Sequence, residues 1–267
     1  LDNGSRRAKA TLSLRKLAQS LEDAVGETIY PVSLQHANRI DTGLVEGRPA
    51  LIFEEFLRDQ LQDGRRKFLV VPLFFGQSRA LTSFIPDIVD NLQAEFGHFE
   101  LVLADVLYPL PDGELRLARI LCDNIETTLR EQKMNSSRVI LVDHGSPTRE
   151  VAAVRELLAS QMREILDPEI SLHEAVMERR QGSEYDFTGR LLEEVLDELA
   201  SSEPHIPVVL SMLFLAPGRH AGSGGDIASI RDRVAAANPE LQAVITPLVG
   251  EHPELVTILK DRLEQLL

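Results

Sequence analysis

Apolar positions along this chain follow two patterns, short continuous runs and stripes spaced three and four apart. Leu14, Leu17, Ala18, Leu21 and Val25 recur at helical spacing and predict a one-faced helix over residues 9–25. Residues 29–34 read as a strand. Residues 50–61 read as a helix with Leu51, Ile52, Leu57 and Leu61 as its stripe. The continuous apolar run 68–75 is expected to be a strand buried on both faces. A helix over 86–96 with proline in its first turn, a strand over 101–107 and a long helix over 114–131 complete the first half. The second half repeats the order. Strands at 139–142, 171–177, 208–215 and 241–246 alternate with helices at 149–166, 189–199, 227–237 and 253–267. Such alternation implies right-handed βαβ units and parallel sheets.

The halves also correspond in residues. Asp2-Asn3-Gly4-Ser5 pairs with Asp143-His144-Gly145-Ser146, and Ser33-Leu34 with Ser171-Leu172. Leu73-Phe74-Phe75 pairs with Leu213-Phe214-Leu215, and Tyr108-Pro109-Leu110 with Thr246-Pro247-Leu248. Four blocks in one order, each pair roughly 140 residues apart, read as an internal duplication. The expectation is an α/β protein of two flavodoxin-like domains, 1–134 and 135–267. Each would hold a four-stranded parallel sheet flanked by helices, related to the other by a pseudo-two-fold axis. A short linker is expected at 133–137. Only Leu1 precedes Asp2, whereas a full strand precedes Asp143, so residues upstream of Leu1 are expected.

Composition narrows the class. The chain has 267 residues, 43% hydrophobic and 26% charged, ordinary for a globular protein. No apolar run reaches the roughly 18 residues of a membrane span, and no signal peptide is legible, so the cytoplasm is expected. The single cysteine, Cys122, leaves no disulfide framework and no cysteine-held iron–sulfur cluster. A net charge of −14 argues against a nucleic-acid partner and requires a local basic patch for any anionic substrate.

The candidate chemistry is in the second half. His144 and His220 each follow a buried strand and sit in a glycine-bearing loop, where the first half has Asn3 and Ala80. With strand order 2-1-3-4 these loops flank the topological switch point, and Glu178 follows the intervening strand. Two imidazoles and a carboxylate with open positions suit Co²⁺, Fe²⁺, Ni²⁺ or Zn²⁺, and the imidazoles are bases near neutral pH. No counterpart of Glu178 is evident near Ile40-Asp41. Arg6, Arg7, Arg79, Arg149, Arg179, Arg180 and Arg219 fall in loops at the same sheet end and read as a rim for carboxylates of an acidic ligand. Gly222-Ser223-Gly224-Gly225-Asp226 fits neither common phosphate-binding pattern, so nucleotide binding is not expected. Gly145-Ser146 is no nucleophile elbow, and Ser146 is expected to cap the following helix. His36, His98, His205 and His252 read as solvated, His173 as packed and Cys122 as core.

Val142-Asp143-His144-Gly145-Ser146, Ala175-Val176-Met177-Glu178, Leu213 through Gly222 and Thr246-Pro247-Leu248, in this order, resemble the sirohydrochlorin cobaltochelatase/ferrochelatase family. These are the class II chelatases of cobalamin and siroheme biosynthesis. The resemblance covers nearly the whole chain as a tandem-domain long form. It implies a lyase that inserts Co²⁺ or Fe²⁺, with Ni²⁺ a further candidate, into sirohydrochlorin or a related tetrapyrrole without ATP. On it, His144, His220 and Glu178 are the catalytic and metal-handling residues. Arg6, Arg7, Arg79, Arg219 and Ser146 would meet the macrocycle. A monomer is expected, the two halves forming an internal pseudo-dimer. Two departures stand against this pattern: the histidines lie in the C-terminal rather than the N-terminal half, and there is no Cys- or His-rich tail. They keep open a non-catalytic tetrapyrrole- or metal-binding protein derived from a chelatase, and a module for another acidic small molecule.

Overall fold

The computed structural model describes residues 1–135 and 137–267. Ser136, within the linker expected at 133–137, lies outside the described residues. Among the described residues eight helices and eight strands follow one another, alternating except at the consecutive β1 and β2: α1 (Ala8–Val25), β1 (Val32–Ser33), β2 (Leu51–Ile52), α2 (Phe53–Gln62), β3 (Lys67–Val70), α3 (Ile85–Phe96), β4 (Glu100–Leu103) and α4 (Leu115–Gln132). Then follow β5 (Arg138–Asp143), α5 (Arg149–Ile165), β6 (Ser171–Val176), α6 (Leu192–Ser202), β7 (Val208–Met212), α7 (Asp226–Ala237), β8 (Ala243–Ile245) and α8 (Glu254–Glu264). No helix among the described residues is long and apolar enough to cross a membrane.

Packing divides the chain into two units, Leu1–Asp112 with Pro253–Leu267, and Gly113–His252. The expected division at 134/135 follows the sequence repeat instead, and the two differ by one helix on each side. Helix α4 packs on α5, and its Asn124 donates to Pro247 O at 3.3 Å. Helix α8 packs on α1, and its buried Arg262 donates to Val106 O and Leu107 O. Helical periodicity states which face is apolar, not which surface it will cover.

The Gly113–His252 unit holds a four-stranded sheet in the order β6-β5-β7-β8, all parallel, as expected. Strands β5 and β7 have neighbours on both sides and are buried at every position. Their Val, Ile and Leu side chains fill a core with Leu192, Val195 and Leu196 of α6 and Ile227 and Val234 of α7. Because β5 runs to β6 on one side and β7 on the other, the ends of β5 and β7 border the switch point where open α/β sheets hold ligands.

In the other unit the expected four-stranded sheet is two parallel pairs, β1-β2 and β3-β4. Leu1 and Asp2 lie between them. Asp2 N–H donates to Val32 O, Leu34 N–H to Asp2 O, the Leu1 amine to Val71 O and Leu73 N–H to Leu1 O. Leu51 and Ile52, read as helical, instead pair with Val32 and Ser33, and α2 starts at Phe53 with Glu54 and Glu55 at its positive end. The run expected to be a strand through residue 75 is regular strand only to Val70, and its Leu69 is partly exposed rather than buried on both faces.

The two units repeat their hydrogen bonds in a register that partly differs from the sequence blocks. Leu34 donates to Asp2 O as Met177 does to Asp143 O, so Ser33-Leu34 corresponds to Val176-Met177 and not to Ser171-Leu172. Leu107 donates to Phe74 O as Val249 does to Phe214 O, which displaces the pairing of Tyr108-Pro109-Leu110 with Thr246-Pro247-Leu248. The Leu73 block keeps its place. Loops of unequal length shift local matches, while the ladder fixes register.

Candidate active site

The site grows from the end of β5. Asp143 Oδ1 accepts from Gly145 N–H at 3.1 Å and turns the chain so that His144 leaves the sheet. Gly145 has φ +89°, and a Cβ there would lie 2.1 Å from Glu178 O. This residue must therefore be glycine for the His144 and Glu178 segments to approach as closely as they do. Backbone bonds from Met177 N–H to Asp143 O and from Glu178 N–H to His144 O hold the two segments together. His144 Nε2 lies 3.4 Å from Glu178 Oε1, and its Nδ1 lies 3.0 Å from Gly145 O. That carbonyl and the Glu178 carboxylate are both acceptors, so Nδ1–H faces the first, and Nε2 meets the second as a donor only when the ring is doubly protonated.

The loop after β7 brings the second imidazole. The His220 ring stands edge-to-face on the His144 ring, with centroids 4.6 Å apart and planes at 78°. Its Nδ1 is 2.6 Å from Asp226 Oδ2, in the first turn of α7. The carboxylate accepts, so His220 carries its proton on Nδ1 and offers Nε2. A carboxylate–imidazole pair of this kind fixes the tautomer and the orientation of the ring. Asp226 also takes the exposed Arg219, whose Nε is 3.6 Å from the same oxygen. The sequence reading missed Asp226; the residue opening a helix after a histidine loop was its only signal.

The expected trio is thus partly assembled. His144 meets both His220 and Glu178, but among the described residues no group of three or more His, Cys, Asp or Glu side chains gathers as a metal cage. The arrangement is two stacked imidazoles, each with its own carboxylate. Ser146 does not cap α5: its Oγ accepts from Thr148 N–H at 3.1 Å, and Thr148, the N-cap residue, makes no side-chain cap bond.

The arginines divide. Arg149 stacks over Phe187 at 4.2 Å and Arg180 over Tyr185 at 5.7 Å, while Arg179 reaches Asp186 at 3.6 Å and Gly189 O at 3.2 Å. These three are engaged by the 3₁₀ turn Ser183–Thr188, whose aromatic residues the sequence reading did not single out. Arg219 is exposed beside His220; in the other unit Arg6 and Arg7 are exposed in a loop, and Arg79 is exposed where the helical segment leading into α3 begins. In that unit a Cβ on Gly4 would lie 1.9 Å from Gln35 O, the relation Gly145 has to Glu178. Gln35 is therefore the counterpart of Glu178, five residues before Ile40. Asn3, Gln35 and Ala80 stand where the histidine-bearing unit has His144, Glu178 and His220.

Behind the site a buried charge network fixes the loop. Arg155 Nη1 donates to Asp143 Oδ1 at 3.1 Å and Nη2 to Thr188 O at 2.8 Å, and its Nε lies 3.4 Å from Glu174 Oε2. Burial pushes the Asp143 carboxyl above its ordinary range, and the Arg155 guanidinium opposes that shift.

Residues 138–266 match the family model CbiX. Comparison with proteins of curated function returned no match. Among solved structures, SirB from Bacillus subtilis with Fe³⁺ superposes with a TM-score of 0.69 at 14% identity, covering 99% of this chain and 92% of that one. The sirohydrochlorin chelatase SirB from Bacillus subtilis subspecies spizizenii, in complex with cobalt, gives 0.66 at 15% identity, with coverage of 99% and 92%. CbiX, described as the terminal enzyme for biosynthesis of siroheme in denitrifying bacteria, gives 0.58 at 13%, with coverage of 100% and 97%. At such identities the structures speak to the fold, and the sequence match speaks to the family. Over residues 138–266 this chain is similar to the CbiX family, and its fold is that of the chelatases named above.

Proposed function

We propose that this protein inserts a divalent metal, Co²⁺ or Fe²⁺, into sirohydrochlorin or a related acidic tetrapyrrole without ATP. The observation that carries this reading is the stacked His144–His220 pair, with each imidazole set against its own carboxylate. It stands in the half that matches CbiX. The relatives of like fold hold Fe³⁺ and cobalt, which fits these metals.

Insertion requires the macrocycle to lose two pyrrole N–H protons and the incoming metal to shed water. The two imidazoles can hold the substrate metal on one side and, once it has passed to the macrocycle, accept those protons. Asp226 keeps the His220 proton on Nδ1, so Nε2 is the atom that reacts. Glu178, exposed beside His144 Nε2, can take a proton onward to water. The exposed Arg219 supplies positive charge for a peripheral carboxylate, in a chain whose net charge of −14 otherwise repels one.

The test is absorbance of sirohydrochlorin with Co²⁺ or Fe²⁺, with and without the protein and its H144A and H220A variants. Acceleration by the parent that both variants lose is expected; a rate equal to the protein-free rate would overturn the reading. The second reading, a non-catalytic tetrapyrrole- or metal-binding protein derived from a chelatase, is favoured by the unit that carries Asn3, Gln35 and Ala80 in place of His144, Glu178 and His220. Tight binding of macrocycle or metal without turnover would establish it.

A further inference from the structure

The Arg155 side chain is only 2% exposed, among the largest fully buried side chains of the protein, and nothing in the insertion chemistry uses it. Its place is informative. Helix α1 buries Thr11, Leu14, Ala18 and Leu21, and α5 buries Ala152, Arg155, Ala159 and Met162 at the same spacing after the glycine of the loop. Leu14 therefore occupies in α1 the position Arg155 occupies in α5. A leucine fills that position in the unit that carries Asn3, Gln35 and Ala80. The arginine, which must be compensated to be buried at all, accompanies His144, Glu178 and His220.

Its compensation ties three segments together. Asp143 Oδ1 accepts from Arg155 Nη1 and also from Gly145 N–H, so the guanidinium and the His144 turn share one oxygen. Nη2 holds Thr188 O, and Thr188 Oγ1 donates back to Ser146 O at 3.4 Å. Glu174 on β6 faces Arg155 Nε and accepts from Arg163 at 3.0 Å. The planar fork of a guanidinium can span these acceptors at once; a lysine ammonium cannot.

We propose that Arg155 is a positioning residue of the His144–His220 pair: through Asp143 it sets the direction of the His144 loop, and through Thr188 it fixes the Ser183–Thr188 turn against that loop. The consequence for metal insertion rests on the chelatase reading above; the geometric consequence does not.

The readout is the ring-current shift that the stacked imidazoles impose on each other, followed by ¹H–¹³C NMR of the histidine ring protons and assigned with H144A and H220A. Far-UV circular dichroism checks the fold. R155L leaves Asp143 buried without its partner and can fail to fold, so D143N/R155L accompanies it; asparagine retains the oxygen for Gly145 N–H while shedding the charge. The double variant is expected to fold, lose the mutual ring shift and bind Co²⁺ roughly tenfold more weakly, the scale of an outer-partner change at a metal site. R155K, which keeps charge near Asp143 but releases Thr188, is expected between it and the parent. Parent-like ring shifts and Co²⁺ affinity in whichever of these variants fold would overturn the proposal. Absence of metal insertion by the parent would instead overturn the chelatase reading and leave the NMR result standing.

Discussion

Asp226 offers the sharpest test of how the site works, because its two roles differ in size. As the acidic residue in the first turn of α7 it interacts with the helix dipole, worth about 0.3–1 kcal/mol. Its 3.6 Å pair with the largely exposed Arg219 adds little. As partner of His220 Nδ1 at 2.6 Å it makes a charge-assisted hydrogen bond, for which roughly 1.5–3 kcal/mol is usual when desolvated. The two side chains are 32% and 41% exposed, so the lower end, about 1.4 kcal/mol or tenfold, is the appropriate scale. Asp226→Ala is therefore expected to lower stability by about 2 kcal/mol in urea denaturation, the helix contribution and the His220 bond together. It should weaken Co²⁺ binding and lower kcat/KM for insertion by roughly tenfold, since His220 is then free to rotate and to carry its proton on either nitrogen. Asp226→Asn keeps an acceptor without the charge and should lose about threefold. Unchanged metal affinity and rate in Asp226→Ala, or a loss of stability large enough to account for the loss of activity, would refute this role for Asp226.

His144→Ala and His220→Ala should each abolish insertion with thermal midpoints near the parent's, because both rings sit half-buried on loops; Asn3→Ala should change the rate far less, measured in the same absorbance assay. Gly145→Ala should destabilise by about 1–3 kcal/mol or more, from φ +89° and a Cβ 2.1 Å from Glu178 O, and a thermal midpoint within a degree of the parent's would contradict the backbone argument. Burial and the nearby Asp123 and Glu126 push the Cys122 thiol up to about 12, so reaction with a disulfide reagent at pH 8 should proceed only as fast as the protein unfolds. Burial lowers the pKa of His173 below its ordinary 6.5. A folded-state pKa below the unfolded value favours the fold above pH 6.5 and loses that contribution as pH falls through the folded-state value. Replacement by glutamine should flatten stability against pH below 6.5, measured by urea denaturation across that range.

The sequence by itself determined the succession of elements and the positions of the two histidines. Continuous Val/Ile/Leu runs specify strands flanked on both sides, three-four stripes specify one-faced helices, and both patterns are local properties of the chain. A histidine just beyond such a run is at the carboxyl end of its strand whatever the rest of the fold does, so His144 and His220 were legible. Glu178 was legible for the same reason, being two residues past Val176. Where apolar runs were short the pattern misled: Leu51 and Ile52 suit a helical stripe and a strand equally, and only pairing with Val32 and Ser33 distinguished them. Tertiary structure alone decided the rest. The match of Gln35 to Glu178 needed the hydrogen-bond ladder, because loop lengths differ between the units. The place of α4 beside α5, and of α8 beside α1, depends on which apolar surface each stripe meets, which no period encodes. Asp226 and Arg155 act through single side-chain atoms, Oδ2 on His220 and Nη1 on Asp143, across 6 and 12 residues of sequence. Such bonds form only once β5, β7 and the helices that follow them are packed, and a directional contact of that kind leaves no periodic trace in the chain.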